Sequence, residues 1–208
     1  KVVPLTNKNI YSSAVNIAET LNLTSSDHCY NIMPLFHIHG LIAILSSSIY
    51  AGASVYTSVG FNALSFLDKA KKENISWYSG VPTMHQGILM RAKKNMEQAK
   101  NLSLRFIRSS SASLPPAVFE ELIDVFKAPV IEAYGMTEAT HQMTSNPIPP
   151  EIQKAGFVGK PAGPDVCIMD IDGNKLKSGS EGEVCIRGDN VMLGYEDNEE
   201  ANKSSFTD

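Results

Sequence analysis

The sequence predicts an α/β fold, in which a mainly parallel sheet covered by helices occupies residues 1–150. Short apolar runs alternate with amphipathic segments at helical spacing, and the connections between them are mostly short. Strands that are buried on both faces, as in a parallel sheet, produce apolar runs of this kind. Residues 151–208 differ, because glycine, proline and aspartate interrupt short β-like runs there. They are predicted to form a small mostly-β subdomain.

Five segments carry apolar residues at the spacing of a helix that packs on a sheet. Thr6 or Asn7 is predicted to cap the first helix. Ser113 is predicted to cap the last one, whose first turn holds Pro115 and Pro116, where missing amide protons cost least. The predicted helices cover residues 7–21, 41–50, 63–73, 81–92 and 115–126.

Short apolar or β-branched runs between these helices predict the strands. The strand at 130–133 is the most informative, because it leads into a polar segment, 134–146, that is predicted to be a loop. Loops at the carboxyl ends of strands bind ligands in open α/β sheets. The predicted strands cover residues 29–34, 53–56, 75–79, 104–108 and 130–133, followed in the subdomain by 166–170 and 182–188.

The start of this polar segment, Tyr-Gly-Met-Thr-Glu, combines groups that suit a nucleoside triphosphate. Tyr134 offers a flat face for a base, and Gly135 permits a positive φ or a close ligand approach. The Thr137 hydroxyl can donate to a phosphate oxygen, and the Glu138 carboxylate is a hard ligand suited to Mg²⁺. An ordinary strand end with exposed polar residues accounts for these five residues equally well.

Composition narrows the class of protein. The net charge is −4 and no dense run of lysine and arginine occurs, so we predict neither nucleic acid nor an anionic membrane as a partner. No apolar run approaches the ~18 residues of a membrane span. The three widely spaced cysteines, Cys29, Cys167 and Cys185, indicate a reducing compartment and no zinc site. A cytoplasmic location is the expectation.

Several stretches together resemble the acyl-activating, adenylate-forming superfamily, which includes acyl-CoA synthetases, coumarate-CoA ligases and firefly luciferase. Residues 132–138 match its signature, 34–37 resemble its aromatic gate, and 182–188 with Gly194-Tyr195 match its G-E-x-x-x-R-G…G-Y run. Within the superfamily the chain is similar to oxalyl-CoA synthetases of plants and yeast. That likeness rests on residues 34–41, 77–86, 104–114 and 138–147.

The resemblance implies an ATP-dependent acid-CoA ligase, which forms an acyl-adenylate and then an acyl-CoA with the help of Mg²⁺ and coenzyme A. By position, Tyr134 would stack on adenine, Thr137 would hold the α-phosphate, Glu138 would bind Mg²⁺, and His37 would lie between the acid and the nucleotide. The remaining nucleotide-binding positions that it implies are Ser111, Ala112, Ser113, Glu132, Ala133, Gly135 and Met136.

Histidines near the predicted site bear on the substrate. His39, His85 and His141, with Ser111, favour a small polar acid over a fatty or aryl acid. Our hypothesis is that His141 and Ser111 contact the distal carboxylate of a small dicarboxylic acid such as oxalate. An imidazolium, hydroxyl contacts or both would offset the cost of burying that carboxylate. The alternatives are a packing role for His85, a medium-chain or aryl acid as substrate, and a noncatalytic nucleotide-binding module.

The resemblance also implies that parts of the enzyme lie outside this chain. In the superfamily a glycine-rich phosphate loop precedes the segment at Lys1, and a ribose-binding aspartate and a catalytic lysine follow the segment at Asp208. We therefore expect these 208 residues alone not to complete the reaction. A peroxisomal address, the alternative to the cytoplasm, would lie at a C-terminus beyond Asp208.

Overall fold

A seven-stranded sheet organises the protein in the computed structural model, which describes residues 1–207. The first five strands are parallel to one another, and the last two are antiparallel to their neighbours. The spatial order is β2-β1-β3-β4-β5-β6-β7. These strands are β1 (His28–Asn31), β2 (Ser54–Thr57), β3 (Trp77–Gly80), β4 (Phe106–Ser109), β5 (Val130–Met136), β6 (His141–Ser145) and β7 (Lys160–Pro161). The predicted α/β fold with a mainly parallel sheet is confirmed.

Helices cover both faces of this sheet. The first begins as predicted, because Thr6 and Asn9 form a reciprocal capping box. A π-helix, His39–Ser46, continues directly into a short α-helix. The α-helices are α1 (Asn7–Thr20), α2 (Ser47–Tyr50), α3 (Ala63–Lys72), α4 (Pro82–Lys93), α5 (Met96–Lys100), α6 (Pro116–Phe126) and α7 (Glu199–Ser205).

The two faces of the sheet have separate apolar cores. On one face, α3, α4 and α6 pack over aromatic and aliphatic side chains that include Tyr30, Tyr78 and Ile107. On the other face, α1 and the π-helix cover a smaller cluster. Its central row consists of Cys29, Trp77 and Phe106, which are neighbours in register across three strands. All of these side chains are essentially fully buried, as expected for a sheet covered on both sides.

One row nearer the carboxyl ends of the strands, this second face becomes polar. Asn31 pairs in register with Ser79, and Ser79 pairs with Arg108. All three residues are buried, and the Arg108 side chain is 0% exposed. Side chains two residues apart on a strand share a face, so the polar row lies directly beside the row of Cys29, Trp77 and Phe106. We call Asn31, Ser79 and Arg108 the polar row.

The polar segment after β5 is not the loop that the sequence predicted. β5 continues to Met136, and β6 returns beside it as an antiparallel partner after a one-turn 3₁₀-helix, Thr137–Ala139. The ladder gives the backbone of both strands its hydrogen-bond partners. Only glycine fits at position 135, since a Cβ atom there would lie 1.5 Å from the carbonyl oxygen of His141.

Two predicted helix boundaries are also wrong. Ser113 does not cap α6, because the cap position is Pro115, which supplies no side-chain hydrogen bond, and the helix starts at Pro116. The apolar helix predicted at 41–50 starts two residues earlier, at His39, and its first eight residues are π-helical. There Gly40 packs against the backbone, with its Cβ position 2.4 Å from the carbonyl oxygen of Pro34.

Residues 151–207 are attached to the main sheet through β7. β7 pairs with β6, and a separate two-stranded sheet follows, formed by β8 (Asp165–Met169) and β9 (Glu183–Arg187). Val2, near the N-terminus, forms an isolated β-bridge with Glu196, near the C-terminus. Among residues 1–207, no helix is both long enough and apolar enough to cross a bilayer.

A buried ion pair at the start of β1 anchors the amino-terminal ends of the strands. Asp27 is 3% exposed and accepts two hydrogen bonds from Arg105, at 2.9 Å each, and one from the Ser76 hydroxyl. We expect Asp27→Ala to lower the free energy of unfolding by about 2 kcal/mol, because Arg105 and Ser76 lose the carboxylate that accepts their hydrogen bonds. Denaturant unfolding of the full-length protein measures this.

The exposed pair of Lys93 and Glu121 provides the matched control, with both side chains about half exposed. Glu121→Ala should change the free energy of unfolding by no more than about 0.5 kcal/mol. Similar losses for Asp27→Ala and Glu121→Ala would show that the buried pair does not anchor the sheet.

Candidate active site

Three chain segments meet at the carboxyl ends of the parallel strands. They are the start of the π-helix, the loop that follows β4, and the β5–β6 turn. His39 joins two of them, because its Nδ1 lies 3.0 Å from the Ser111 hydroxyl and its Nε2 lies 2.7 Å from the hydroxyl of Ser79. One ring nitrogen donates and the other accepts in the neutral imidazole. His39 thus connects the polar row to the predicted nucleotide loop.

The third segment contributes His141. Its ring centroid lies 5.1 Å from that of His39, and both residues are buried. The Nδ1 atom of His141 has no hydrogen-bond partner among the described residues. A buried, unpaired ring nitrogen is costly and marks a position suited to a polar ligand. The structure therefore brings together three of the predicted substrate residues, His39, Ser111 and His141.

The backbone around these residues is strained. φ is +71° at Ser111, +49° at Thr140 and +96° at His141, all in the left-handed region that favours glycine. Such conformations persist only when the surroundings enforce them. Here the Ser13 hydroxyl donates to the Thr140 carbonyl, and the Asn190 side-chain amide donates to the Ala139 and Gln142 carbonyls. The turn that carries His141 is therefore held from both sides.

His39 and His141 are both neutral at pH 7. Burial, followed by the charge of Arg108, lowers the pKa of His39 and that of His141 well below the ordinary value of 6.5. In the absence of a bound anion, the site therefore does not favour the imidazolium that the sequence suggested as a counter-charge. In their neutral form, the two rings can offer N–H donors but no positive charge.

Arg108 is the residue that sequence reasoning missed. Its Nη2 donates to the Gln142 side-chain oxygen at 3.1 Å, and burial lowers its pKa from 12.5 to about 10, so that it remains charged at pH 7. Gln142 in turn donates to the Thr20 hydroxyl and the Ala162 carbonyl. The available signal was an arginine directly after the apolar pair Phe106-Ile107 of a predicted buried strand, two residues from Phe106 and therefore on the same face of that strand.

Most of the residues predicted to bind the nucleotide are more exposed than His39 and His141. Tyr134 is 39% exposed, so its ring is accessible for stacking, and Thr137 is also exposed. Gly135 lies at a bulge beside Tyr134, and Met136 is half-buried. The loop residues Ser111, Ala112 and Ser113 are all exposed.

Glu132 and Ala133 are buried and form hydrogen bonds with neighbouring segments. The Glu132 carboxylate accepts the Gly156 amide hydrogen at 2.9 Å. Burial raises its pKa, and backbone N–H groups of Gly156 and Leu114 oppose that rise. The Ala133 carbonyl accepts the Ser110 hydroxyl. Both residues thus hold neighbouring backbone in place behind the predicted base site.

Glu138, the predicted Mg²⁺ ligand, is held by Tyr195. The Tyr195 hydroxyl donates to its Oε1 at 2.6 Å, and the Met192 amide donates to its backbone carbonyl. The hydrogen bond to Glu138 raises the pKa of Tyr195. The other carboxylate oxygen remains available to a hard cation. Among residues 1–207, no group of three or more histidine, cysteine, aspartate or glutamate side chains could hold a metal ion.

The remaining predicted histidines are His37 and His85. His37 is exposed, and its Nδ1 accepts the backbone amide hydrogen of His39 at the start of the π-helix. His85 is 0% exposed, and its Nδ1 lies 3.2 Å from the hydroxyl of Tyr78, which belongs to the core on the opposite face of the sheet. The contact with Tyr78 fits a packing role for His85, whereas its Nε2, like the Nδ1 of His141, has no hydrogen-bond partner among the described residues.

The burial of His85 predicts a pH dependence of stability. Burial lowers its pKa from 6.5 to about 4, so the unfolded chain binds a proton at a higher pH than the folded chain. The free energy of unfolding should therefore fall between pH 6.5 and 4, with His85 contributing about 3 kcal/mol to the decrease. Denaturant titrations of the full-length protein at several pH values measure the slope.

The variant His85→Gln removes this titration, and with it the repulsion by which His85 helps to lower the pKa of His39. We expect a shallower fall in stability below pH 6.5 in the variant, whatever its stability at pH 7. Identical slopes in the two proteins would contradict the burial of a neutral His85.

Comparison with known proteins identifies relatives of this chain. The chain is 49% identical to the oxalate-CoA ligases of Saccharomyces cerevisiae, over 207 residues, and of Arabidopsis thaliana, over 209 residues. It is covered almost completely in both alignments but spans only 37% and 40% of the two relatives. O-succinylbenzoate coenzyme A synthetase (MenE) from Bacillus subtilis, solved with ATP and a magnesium ion, superimposes with a TM-score of 0.85 at 31% identity. That match covers 99% of this chain and 42% of MenE.

The sequence profile of the AMP-binding enzymes matches residues 1–196, which is nearly the whole chain. The chain therefore belongs to the AMP-binding enzyme family.

Proposed function

We propose that the full-length protein containing this chain is an AMP-forming acid-CoA ligase whose substrate is a small dicarboxylic acid such as oxalate. The observation that carries the substrate is the acid pocket, which we define as His39, Ser79, Arg108, Ser111 and His141. Four of its five side chains are buried, and all five are polar or charged. The oxalate-CoA ligases that the chain resembles support the same assignment.

The chemistry of the pocket favours a short polar acid. An alkyl or aryl chain placed here would leave Nδ1 of His141 and Nε and Nη1 of Arg108 without partners, and an unsatisfied neutral group costs about 1–3 kcal/mol. A dicarboxylate has acceptor oxygens at both ends and can satisfy those donors. The closeness of the His39 and His141 rings, 5.1 Å between centroids, also suits a short molecule.

Tyr134 and Thr137, which we call the nucleotide edge, are the residues proposed to hold ATP in the first half of the reaction. In our proposal the Tyr134 ring stacks on adenine and the Thr137 hydroxyl donates to the α-phosphate. The acid carboxylate then attacks the α-phosphorus and pyrophosphate leaves, so that an acyl-adenylate forms. Reactions of this type require mainly positioning and neutralisation of charge. The rigid turn between β5 and β6 provides the positioning.

Glu138 is the residue we propose for Mg²⁺. Its donor atom type fits, because Mg²⁺ takes carboxylate oxygens, and the Tyr195 hydrogen bond fixes the orientation of the carboxylate. When bound, the cation neutralises negative charge on the phosphates. Coenzyme A is the proposed second substrate, and its thiolate displaces AMP from the acyl-adenylate. His37, on the exposed segment ahead of the π-helix, lies between the acid and nucleotide sites in this proposal.

Pyrophosphate release by the full-length protein tests the proposal. With ATP and Mg²⁺ present, we expect clear preference for oxalate over malonate, octanoate and coumarate. Preference for octanoate or coumarate would retain the ligase and refute the polar acid pocket. No release with any acid would favour a noncatalytic nucleotide-binding module.

His141→Ala tests the residue with the unpaired ring nitrogen. We expect the KM for oxalate to rise about 10- to 100-fold, because a hydrogen bond to a charged group is lost, while the KM for ATP changes less than about 3-fold. Initial rates of pyrophosphate release measure both constants. His28→Ala, at the start of β1, is the histidine control and should leave both unchanged. Equal increases for oxalate and ATP in His141→Ala would refute the assignment.

A further inference from the structure

We infer that Arg108 is the specificity-determining residue of the acid pocket and supplies the fixed positive charge that receives the second carboxylate of the substrate. This inference rests on the proposed function, and it names the class of acid that the pocket selects. That class comprises short acids that carry a second anionic group. The histidines and serines then supply hydrogen bonds and shape, and the guanidinium supplies the charge.

The guanidinium of Arg108 has too few hydrogen-bond partners within the fold. A guanidinium has five N–H donors. Arg108 is fully buried, yet its Nε and Nη1 atoms have no hydrogen-bond partner among the described residues, and its Nη2 donates only to the neutral oxygen of Gln142. A buried charge is tolerated when it is paired and hydrogen-bonded. The unpartnered Nε–H and Nη1–H groups are the donors that we assign to the substrate carboxylate.

Arg105, on the same chain segment, differs from Arg108 because it has a carboxylate partner. Arg105 lies just ahead of β4, is partly exposed, and forms a two-point ion pair with the buried Asp27. Arg108 is more deeply buried, and none of the ion pairs among residues 1–207 includes it. One arginine therefore has its anion within the fold, whereas the other has none. The missing anion is the feature that the substrate would supply.

The position of Arg108 places this charge at the acid pocket. Its neighbour in the polar row is Ser79, whose hydroxyl is hydrogen-bonded to His39, and its partner Gln142 directly follows His141. The guanidinium charge also acts on both rings, because it contributes to lowering the pKa of each histidine. With both rings neutral, Arg108 is the positive group that can balance a second carboxylate.

Oxalate and oxamate separate charge from shape. Oxamate replaces one carboxylate of oxalate with a neutral amide of nearly equal size, so it needs the same hydrogen-bonding pocket but no second counter-charge. We expect the full-length wild-type protein to bind oxalate at least about 30-fold more tightly than oxamate, as expected for a buried charge pair. Oxamate affinity is measured as its inhibition constant against oxalate in the pyrophosphate-release assay.

Arg108→Gln removes the charge. In this variant we expect the KM for oxalate to rise at least about 30-fold, the inhibition constant of oxamate to change less than about 3-fold, and the KM for ATP to stay unchanged. Arg108→Lys keeps a charge and should recover most of the preference for oxalate over oxamate. Equal losses for both acids in Arg108→Gln, or no loss for oxalate, would overturn the inference.

Arg105→Gln is the matched control. It should lower the midpoint of thermal unfolding, because it breaks the Asp27 pair, without changing the ratio of oxalate to oxamate affinity. If Arg108→Gln does not fold, the wild-type ratio still decides, since equal affinity for the two acids overturns the inference. Failure of the wild-type protein to use oxalate at all is a different result, because it refutes the proposed function itself.

Discussion

Burial of one positive charge at the carboxyl ends of the strands is the constraint on which the rest of the site depends. The row of Cys29, Trp77 and Phe106 is an ordinary apolar core, and the adjoining polar row ends in Arg108. A guanidinium in this position must be surrounded by hydrogen-bonding groups or matched by an anion. Its surroundings here are neutral amides, hydroxyls and imidazoles, so the fold alone leaves the charge without a counter-ion.

The backbone near this charge is strained. His141 faces His39 from the β5–β6 turn, which adopts positive φ at two consecutive residues, Thr140 and His141. Hydrogen bonds from Ser13 and Asn190 hold that turn, and Asn190 itself follows the two-stranded sheet of β8 and β9. Residues 13 and 190, distant from this turn in the sequence, thus stabilise the geometry of the pocket. The Tyr195 hydrogen bond to Glu138 extends the same support to the nucleotide edge.

Much of the fold could be predicted from the sequence, because α1, α3 and the parallel strands follow local periodicity and capping. The antiparallel return of β6 could not, since the polar sequence of residues 141–145 resembles a loop until its partner strand is known. The cap at Ser113 failed because Pro115 and Pro116 start α6 without a side-chain acceptor. The sequence was enough to identify residues 132–138 as a site, because they form one contiguous motif. It was not enough for Arg108, because its role depends on side chains from other strands that the sheet places around it.

A crystal structure of the full-length protein with oxalate and a nonhydrolysable ATP analogue tests the central claim most directly. We expect one oxalate carboxylate to accept hydrogen bonds from Nε and Nη1 of Arg108 and to lie within hydrogen-bonding distance of His141 and Ser111. The other carboxylate should face the α-phosphate near Thr137. An oxalate bound with its second carboxylate in solvent, away from the polar row, would contradict the account.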